Sequence, residues 1–342
     1  MTPQQIEALW REARQIDPSL KLRPGQAAAL VRRQLKPEPY SRPRLFAAMA
    51  AGQPVLFADF PVPVRGADRL GPGPAVLCAL ETGFPPDHRV HIRCGPAGTP
   101  RLVTVTELLR RWRGGRARVS VTDLHVRGSG VMRRIDCSTL SDFNLLAECR
   151  GEIGLQEMLT MVVSSAGTFT DSHTDDPDGS NHCFTGRKLW LAWDTFAGLR
   201  HGLEDVERSG TRRDRAAFGM DGFLAVPGAR WFTVEAGQTL FLPGHLTHKV
   251  VTLEDYLGIG SFFVMLPSWP RTQARWRRHG PLWAQGEPPE RRFDLVDRIG
   301  GRVREKVHAL ARSPKAERER WGLAQMRQVL SHSGRATEFR PA

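Results

Sequence analysis

Apolar positions at the start of the chain recur on a helical period. Ile6, Leu9, Trp10, Ala13 and Ile16 fall three or four residues apart, one stripe of a helix that Asp17-Pro18 brings to an end. A second helix is expected over 26–35, ahead of the Pro-rich segment 36–39, and a third over 44–51. Val55-Leu56-Phe57-Ala58 is short and apolar, as a buried strand is, and 59–73 is a Pro- and Gly-rich connection. A helix is expected over 106–112, with Thr106 as its N-cap.

The period shortens at Val119. Short apolar runs broken by Gly, Pro and Asp follow one another, and Gly186 to Trp193 alternates so that Lys188, Trp190 and Ala192 share one face of a strand. Residues 176–181 are polar and Gly-containing and are expected to form a loop. The charged stretch 200–215 is expected as a surface insertion. Near the C-terminus, Phe293, Val296, Ile299, Val303, Val307 and Leu310 form one helical stripe, weakened at Gly300-Gly301 and ended by Ser313-Pro314. A further helical segment is expected around Trp321, Met326 and Leu330. The stripe must be buried against the core or against a second copy of the chain. The expected fold is mainly β with flanking helices, a double-stranded β-helix (jelly roll, or cupin). Its regions are an N-terminal helical and connecting part, 1–89, a β core, 90–267, and a basic helical part, 268–342.

Chemistry concentrates in Thr170-Asp171-Ser172-His173-Thr174-Asp175. On a strand, His173 and Asp175 point to one face while Ser172 and Thr174 point to the other. One distant histidine completes a two-His, one-carboxylate set, which leaves positions open on a non-haem Fe(II) for a co-substrate and dioxygen. Two histidines compete for that third place. His245 sits on the Pro243-Gly244 turn, whereas His248 enters the Val-rich strand after it, and His248 is preferred. Lys188 follows Asp175 by 13 residues and offers a fixed cation to a dicarboxylate such as 2-oxoglutarate. Thr170, near the start of the ligand strand, places a hydroxyl within reach of the same co-substrate. Trp190 and Trp193 are read as core residues, and His182 as a residue beside the site.

At these residues the chain resembles the Jumonji-C oxygenases. The shared pieces are Thr170-Asp171-x-His173-x-Asp175, Gly186-x-Lys188-x-Trp190-Leu191, Gly237 to Pro243, and His248 five residues after Pro243. The resemblance covers roughly half the chain. It implies that His173, Asp175 and His248 hold Fe(II), that Thr170 and Lys188 hold 2-oxoglutarate, and that Asn181 and Ser261 line the pocket. The implied reaction is hydroxylation of a protein or peptide side chain, or demethylation when the carbon is an N-methyl group. The alternatives are the same chemistry on a small molecule or RNA base, or a non-catalytic cupin-like binding or scaffold protein. The resemblance also implies a homodimer made through C-terminal helices.

Composition adds limits. No run of 18 apolar residues exists, and Met1 to Gln5 lacks the charged-then-apolar order of a secretory leader. The five cysteines have no C-x-x-C spacing, so reduced thiols in an intracellular, cytoplasmic protein are expected, with the Ala-, Arg-, Gly- and Pro-rich usage of a bacterial chain. Of the net charge of +13, about +9 lies in the last 72 residues. A solvated helical face accounts for that excess, and nucleic-acid binding is the less favoured reading.

Overall fold

A computed structural model describes residues 1–95, 98–115, 118–148, 159–203, 218–244, 246–279 and 289–332. The chain is mainly antiparallel β, with twelve strands among the described residues. They are β1 Val55–Phe57, β2 Arg89–Cys94, β3 Thr99–Thr104, β4 Val119–His125, β5 Leu159–Ser164, β6 Phe169–Thr174, β7 Asp178–Thr185, β8 Arg187–Asp194, β9 Arg230–Glu235, β10 Thr239–Leu242, β11 Leu246–Thr252 and β12 Tyr256–Phe263. The larger sheet has the order β1-β10-β7-β12-β5-β4-β2-β3 and the smaller β6-β11-β8-β9. Between them lies a shared core. Leu56, Val162, Cys183, Leu240 and Tyr256 from the large sheet meet Trp190, Phe232, Val234 and Val250 from the small one. Each large apolar side chain buried there contributes about 1.5–3 kcal/mol.

Helices cover the outer faces. α1 (Pro3–Ile16) starts at Thr2, whose side chain and that of Gln5 form a capping box. Its stripe packs on the outer face of the small sheet, with Trp10 edge-on to Trp231 at 4.8 Å. α2 (Gln26–Val31) is shorter than its sequence promises. Residues 33–35 leave the helix because they pair with the edge of β9: Trp231 N–H donates to the Arg33 carbonyl and Leu35 N–H to the Trp231 carbonyl. α3 (Arg42–Ala51) and the helix Pro72–Gly83 cover the outer face of the large sheet. That second helix begins at the end of the 59–73 connection, and neither it nor the β2–β3 hairpin was expected as an element. The helix Val105–Gly114 is capped by Thr104, which accepts from Glu107 N–H at 3.2 Å, and not by Thr106.

The C-terminal stripe is buried within the chain. Val296, Ile299, Val303, Val307 and Leu310 of the helix Pro289–Ala311 pack with Trp269, Trp276 and Trp321; the Phe293 side chain lies outside the described residues. The helix runs unbroken through Gly300-Gly301. A β-carbon on Gly300 would stand 3.2 Å from Gln273 Nε2 and 3.7 Å from the Trp269 ring, so its absence lets the helix Trp269–His279 approach. The stretch expected as an insertion falls largely in 204–217, outside the described residues. Among the described residues, no helix is long and apolar enough to cross a membrane.

The largest departure from expectation is β7, expected as a loop over 176–181. Its polar residues tolerate a strand because both neighbours satisfy its backbone: β10 pairs on one side and β12 on the other. Its side chains are satisfied too. Asp178 accepts from the Ser268 hydroxyl and from Gly244 N–H at 3.0 Å, and Ser180 Oγ accepts from Ser261 N–H at 3.3 Å. Composition reads exposure, and here a polar run is held inside by partners that come from elsewhere in the chain.

Candidate metal centre

β6 and β11 are antiparallel neighbours whose register sets His173 directly against His248. Register partners share a face of the sheet, and both imidazoles face Asp175. His173 Nε2 lies 3.8 Å from Asp175 Oδ1, and His248 Nε2 lies 3.5 Å from Asp175 Oδ2. The two rings are 4.1 Å apart between centroids. One donor atom from each residue falls within 4.8 Å of the others, so the group could hold a metal ion. His245, the competing histidine, lies outside the described residues.

Neighbours fix which nitrogens face the centre. His173 Nδ1 lies 2.7 Å from the Asp171 carbonyl, a bond it makes by donating, which leaves Nε2 as the nitrogen turned toward Asp175. His248 Nδ1 makes a longer contact, 3.4 Å, with the Leu246 carbonyl. Burial first, and then His173 beside it, pushes the His248 pKa down to about 4, so its ring is neutral and free to ligate. Trp190 stacks on the His248 ring at 5.3 Å. It was expected as core, and it is buried, but it also holds a ligand's plane.

The backs of the ligand strands are pinned. Thr174, Thr195 and Thr247 exchange hydroxyl contacts of 2.8–3.3 Å on the face opposite the ligands. Lys249, next to His248, turns outward and pairs with Asp17 at 2.8 Å and Asp171 at 2.9 Å, tying α1 to both ligand strands. Asp176, next to Asp175, accepts from the buried Arg275 guanidinium and from Trp276 Nε1 at 2.8 Å. The basic C-terminal region therefore reaches the ligand loop. Asp176→Ala should destabilise the fold by about 3–5 kcal/mol, because it strands a buried guanidinium. Chemical denaturation measures this, and a change below about 1 kcal/mol contradicts it. At the other end of the loop, Gly244 is required: a β-carbon there would collide with the Pro177 carbonyl.

Asp178 is a second buried carboxyl, pushed up to about 7 by burial and only partly drawn back by Ser268 and Gly244. A carboxyl whose pKa is raised on folding stabilises when protonated. Its contribution is full at pH values below the unfolded-state pKa and is lost as pH rises from about 4 to about 7. Asp178→Asn should remove that slope, gaining on the wild type by a few kcal/mol across the window. Urea denaturation at a series of pH values checks it, and parallel profiles for the two proteins contradict it.

Lys188 occupies the same inter-sheet space. Its strand β8 pairs with β11, Ala192 lying opposite His248 and Lys188 opposite Thr252. The ammonium is buried, 3.2 Å from Ser164 Oγ and 4.4 Å from the centre of the Tyr256 ring. Among the described residues no carboxylate pairs with it. Burial pulls its pKa down to about 7. A buried ammonium without a counter-charge is costly, and an incoming anion relieves the cost. Thr170 is half-buried opposite Val250, whose side chain belongs to the same interior. Asn181 also faces it and accepts the Tyr256 hydroxyl.

Ser261 does not join this group. It stands opposite Leu159 and Ser180, on the face of β12 that carries Leu257, Ile259 and Phe263 toward the outer helices. Its hydroxyl finds no partner among the described residues. One residue of register reverses a strand's faces, and Gly260, not Ser261, looks into the interior opposite Asn181. His182 likewise faces outward from β7, bonded to Thr239 Oγ1 at 2.7 Å. Ser164 and Tyr256, the actual neighbours of Lys188, had no motif to announce them. Compared with protein-family models and with curated proteins, the sequence finds no match.

Proposed function

We propose that this protein is a non-haem iron oxygenase that uses 2-oxoglutarate, built on a double-stranded β-helix of Jumonji-C type. The observation that carries the reading is the pairing of two features in one interior: a His173–Asp175–His248 donor set and a buried ammonium, Lys188, that lacks a carboxylate partner among the described residues. Two imidazoles and one carboxylate suit Fe(II) and leave coordination positions open. The unpaired Lys188 suits the distal carboxylate of a dicarboxylic co-substrate. Bound there, Fe(II) with 2-oxoglutarate and dioxygen supplies a coupled oxidation that yields succinate, carbon dioxide and a hydroxylated C–H.

The protein's own part is positional. His173 and His248 are aimed by their Nδ1 contacts, and Trp190 stacks on the His248 ring, which burial keeps neutral. Lys188 is fixed from below by Ser164 and Tyr256, so little ordering cost remains when an anion arrives. The apolar wall of Trp190, Phe232 and Val250 keeps bulk water from the interior, which strengthens the charge contact. The favoured substrate is a protein or peptide side chain, with a small molecule or RNA base as the alternative.

Turnover tests the reading. Purified protein with Fe(II), ascorbate and air should convert 2-oxoglutarate to succinate, and His173→Ala should fall to background. Equal succinate from the two proteins would show that the chemistry lies elsewhere.

A further inference from the structure

Three guanidinium groups meet where the chain leaves α2 and approaches β9. Arg32, Arg33 and Arg230 line one cavity of about 360 Å3. Arg33 is held in place, donating to the Val226 and Leu224 carbonyls at 2.6 Å each. Its pKa is lowered by burial, and then by Arg230 and Arg32 beside it. Among the described residues no carboxylate pairs with any of the three. Like charges gathered at a cavity repel one another, and among the described residues only backbone carbonyls, accepting from Arg33 and Arg230, stand against that repulsion.

The cluster's position is as telling as its charge. Arg230 is the register partner of Ala192, and Ala192 is the register partner of His248. Neighbouring strands run about 4.8 Å apart, so the Arg230 and His248 backbones stand roughly 10 Å from each other. A second cavity of about 130 Å3 is lined by Ala192, Asp194, Leu246 and Arg271. Gly228 borders both cavities. The arginine cluster thus sits two strands from His248 on the same sheet.

We propose that the Arg32–Arg33–Arg230 pocket binds a phosphate-class oxyanion carried by the substrate that the metal centre oxidises. Guanidinium forks match the oxygens of a phosphoryl group, and three cations suit a dianion better than a single carboxylate. The link to the oxidised substrate rests on the oxygenase reading, whereas the anion site does not.

The test separates the two. Inorganic phosphate titrated into the metal-free protein at fixed ionic strength should reveal one saturable site by calorimetry. Arg32→Gln/Arg230→Gln should weaken it at least tenfold with an unchanged circular-dichroism spectrum, since the carbonyl contacts of Arg33 remain. Acetate at equal concentration should not displace phosphate. No saturable binding by the wild type, equal binding by the double variant, or displacement by acetate overturns the phosphate site. With Mn(II) added, the 31P relaxation of bound phosphate should quicken in the wild type and not in His173→Ala. Phosphate that binds without this enhancement, while Mn(II) binds, overturns the assignment to the oxidised substrate. Mn(II) that fails to bind counts against the metal reading alone and leaves the calorimetric result standing.

Discussion

Lys188→Met is expected to abolish 2-oxoglutarate binding while leaving the metal in place. Removing one partner of a buried charge pair costs about 2–5 kcal/mol, which is roughly 30-fold to several-thousand-fold in affinity. Calorimetry with the metal-loaded protein reads the loss, and a separate metal titration should show no change. The same substitution should stabilise the protein in the absence of ligand. The Lys188 pKa falls to about 7 in the folded chain, below its unfolded value of about 10.4. Between those values the unfolded chain binds more protons, so wild-type stability rises with pH across the window and is lowest below about pH 7. Lys188→Met removes this dependence, and its advantage should be greatest, on the order of a few kcal/mol, at the acid side. A variant that is less stable than wild type at pH 6, or that keeps its co-substrate, contradicts the role given to Lys188.

The second large effect belongs to His248. His248→Ala is expected to reduce metal affinity by more than the roughly 10–100-fold that loss of a supporting partner costs, because a ligand itself is gone. Lys249→Met offers the contrast. It leaves every ligand present but strands Asp17, buried with a side-chain exposure of 5%, and releases the tie between α1 and the ligand strands. Its cost should appear in thermal or chemical denaturation, about 3–5 kcal/mol, with a smaller change in metal affinity. Anaerobic Fe(II) titration of both variants distinguishes them. Metal binding by His248→Ala equal to the wild type would remove His248 from the ligand set.

Which parts of this were legible in the sequence follows from the range of the interactions. His173 and Asp175 were legible because two-residue spacing on a strand is a local rule, and the Lys188–Trp190–Ala192 face follows from the same alternation. The choice of His248 over His245 rested on the strand that follows it, and the register of β11 against β6 agrees with that reason. Ser261 failed on the same kind of rule: alternation was known, but the phase of β12 was not, and one residue decided its face. β7 was missed because its polar residues are satisfied by Ser268, Gly244 and Tyr256, all more than 60 residues away. The clamp of Arg275 and Trp276 on Asp176 spans a separation of about 100 residues and has no local signature. The C-terminal stripe was visible as a stripe, but its period cannot tell which surface it meets, and the chain's own tryptophans cover it.

The central claim is that the donor triad and Lys188 form one site for metal and co-substrate. The most direct test is titration of 2-oxoglutarate, without oxygen, into wild-type protein with and without Fe(II). Binding that needs Fe(II), and that disappears in both His173→Ala and Lys188→Met, is the expected result. A wild-type protein that takes up neither Fe(II) nor 2-oxoglutarate would contradict the claim and return the fold to a non-catalytic binding role.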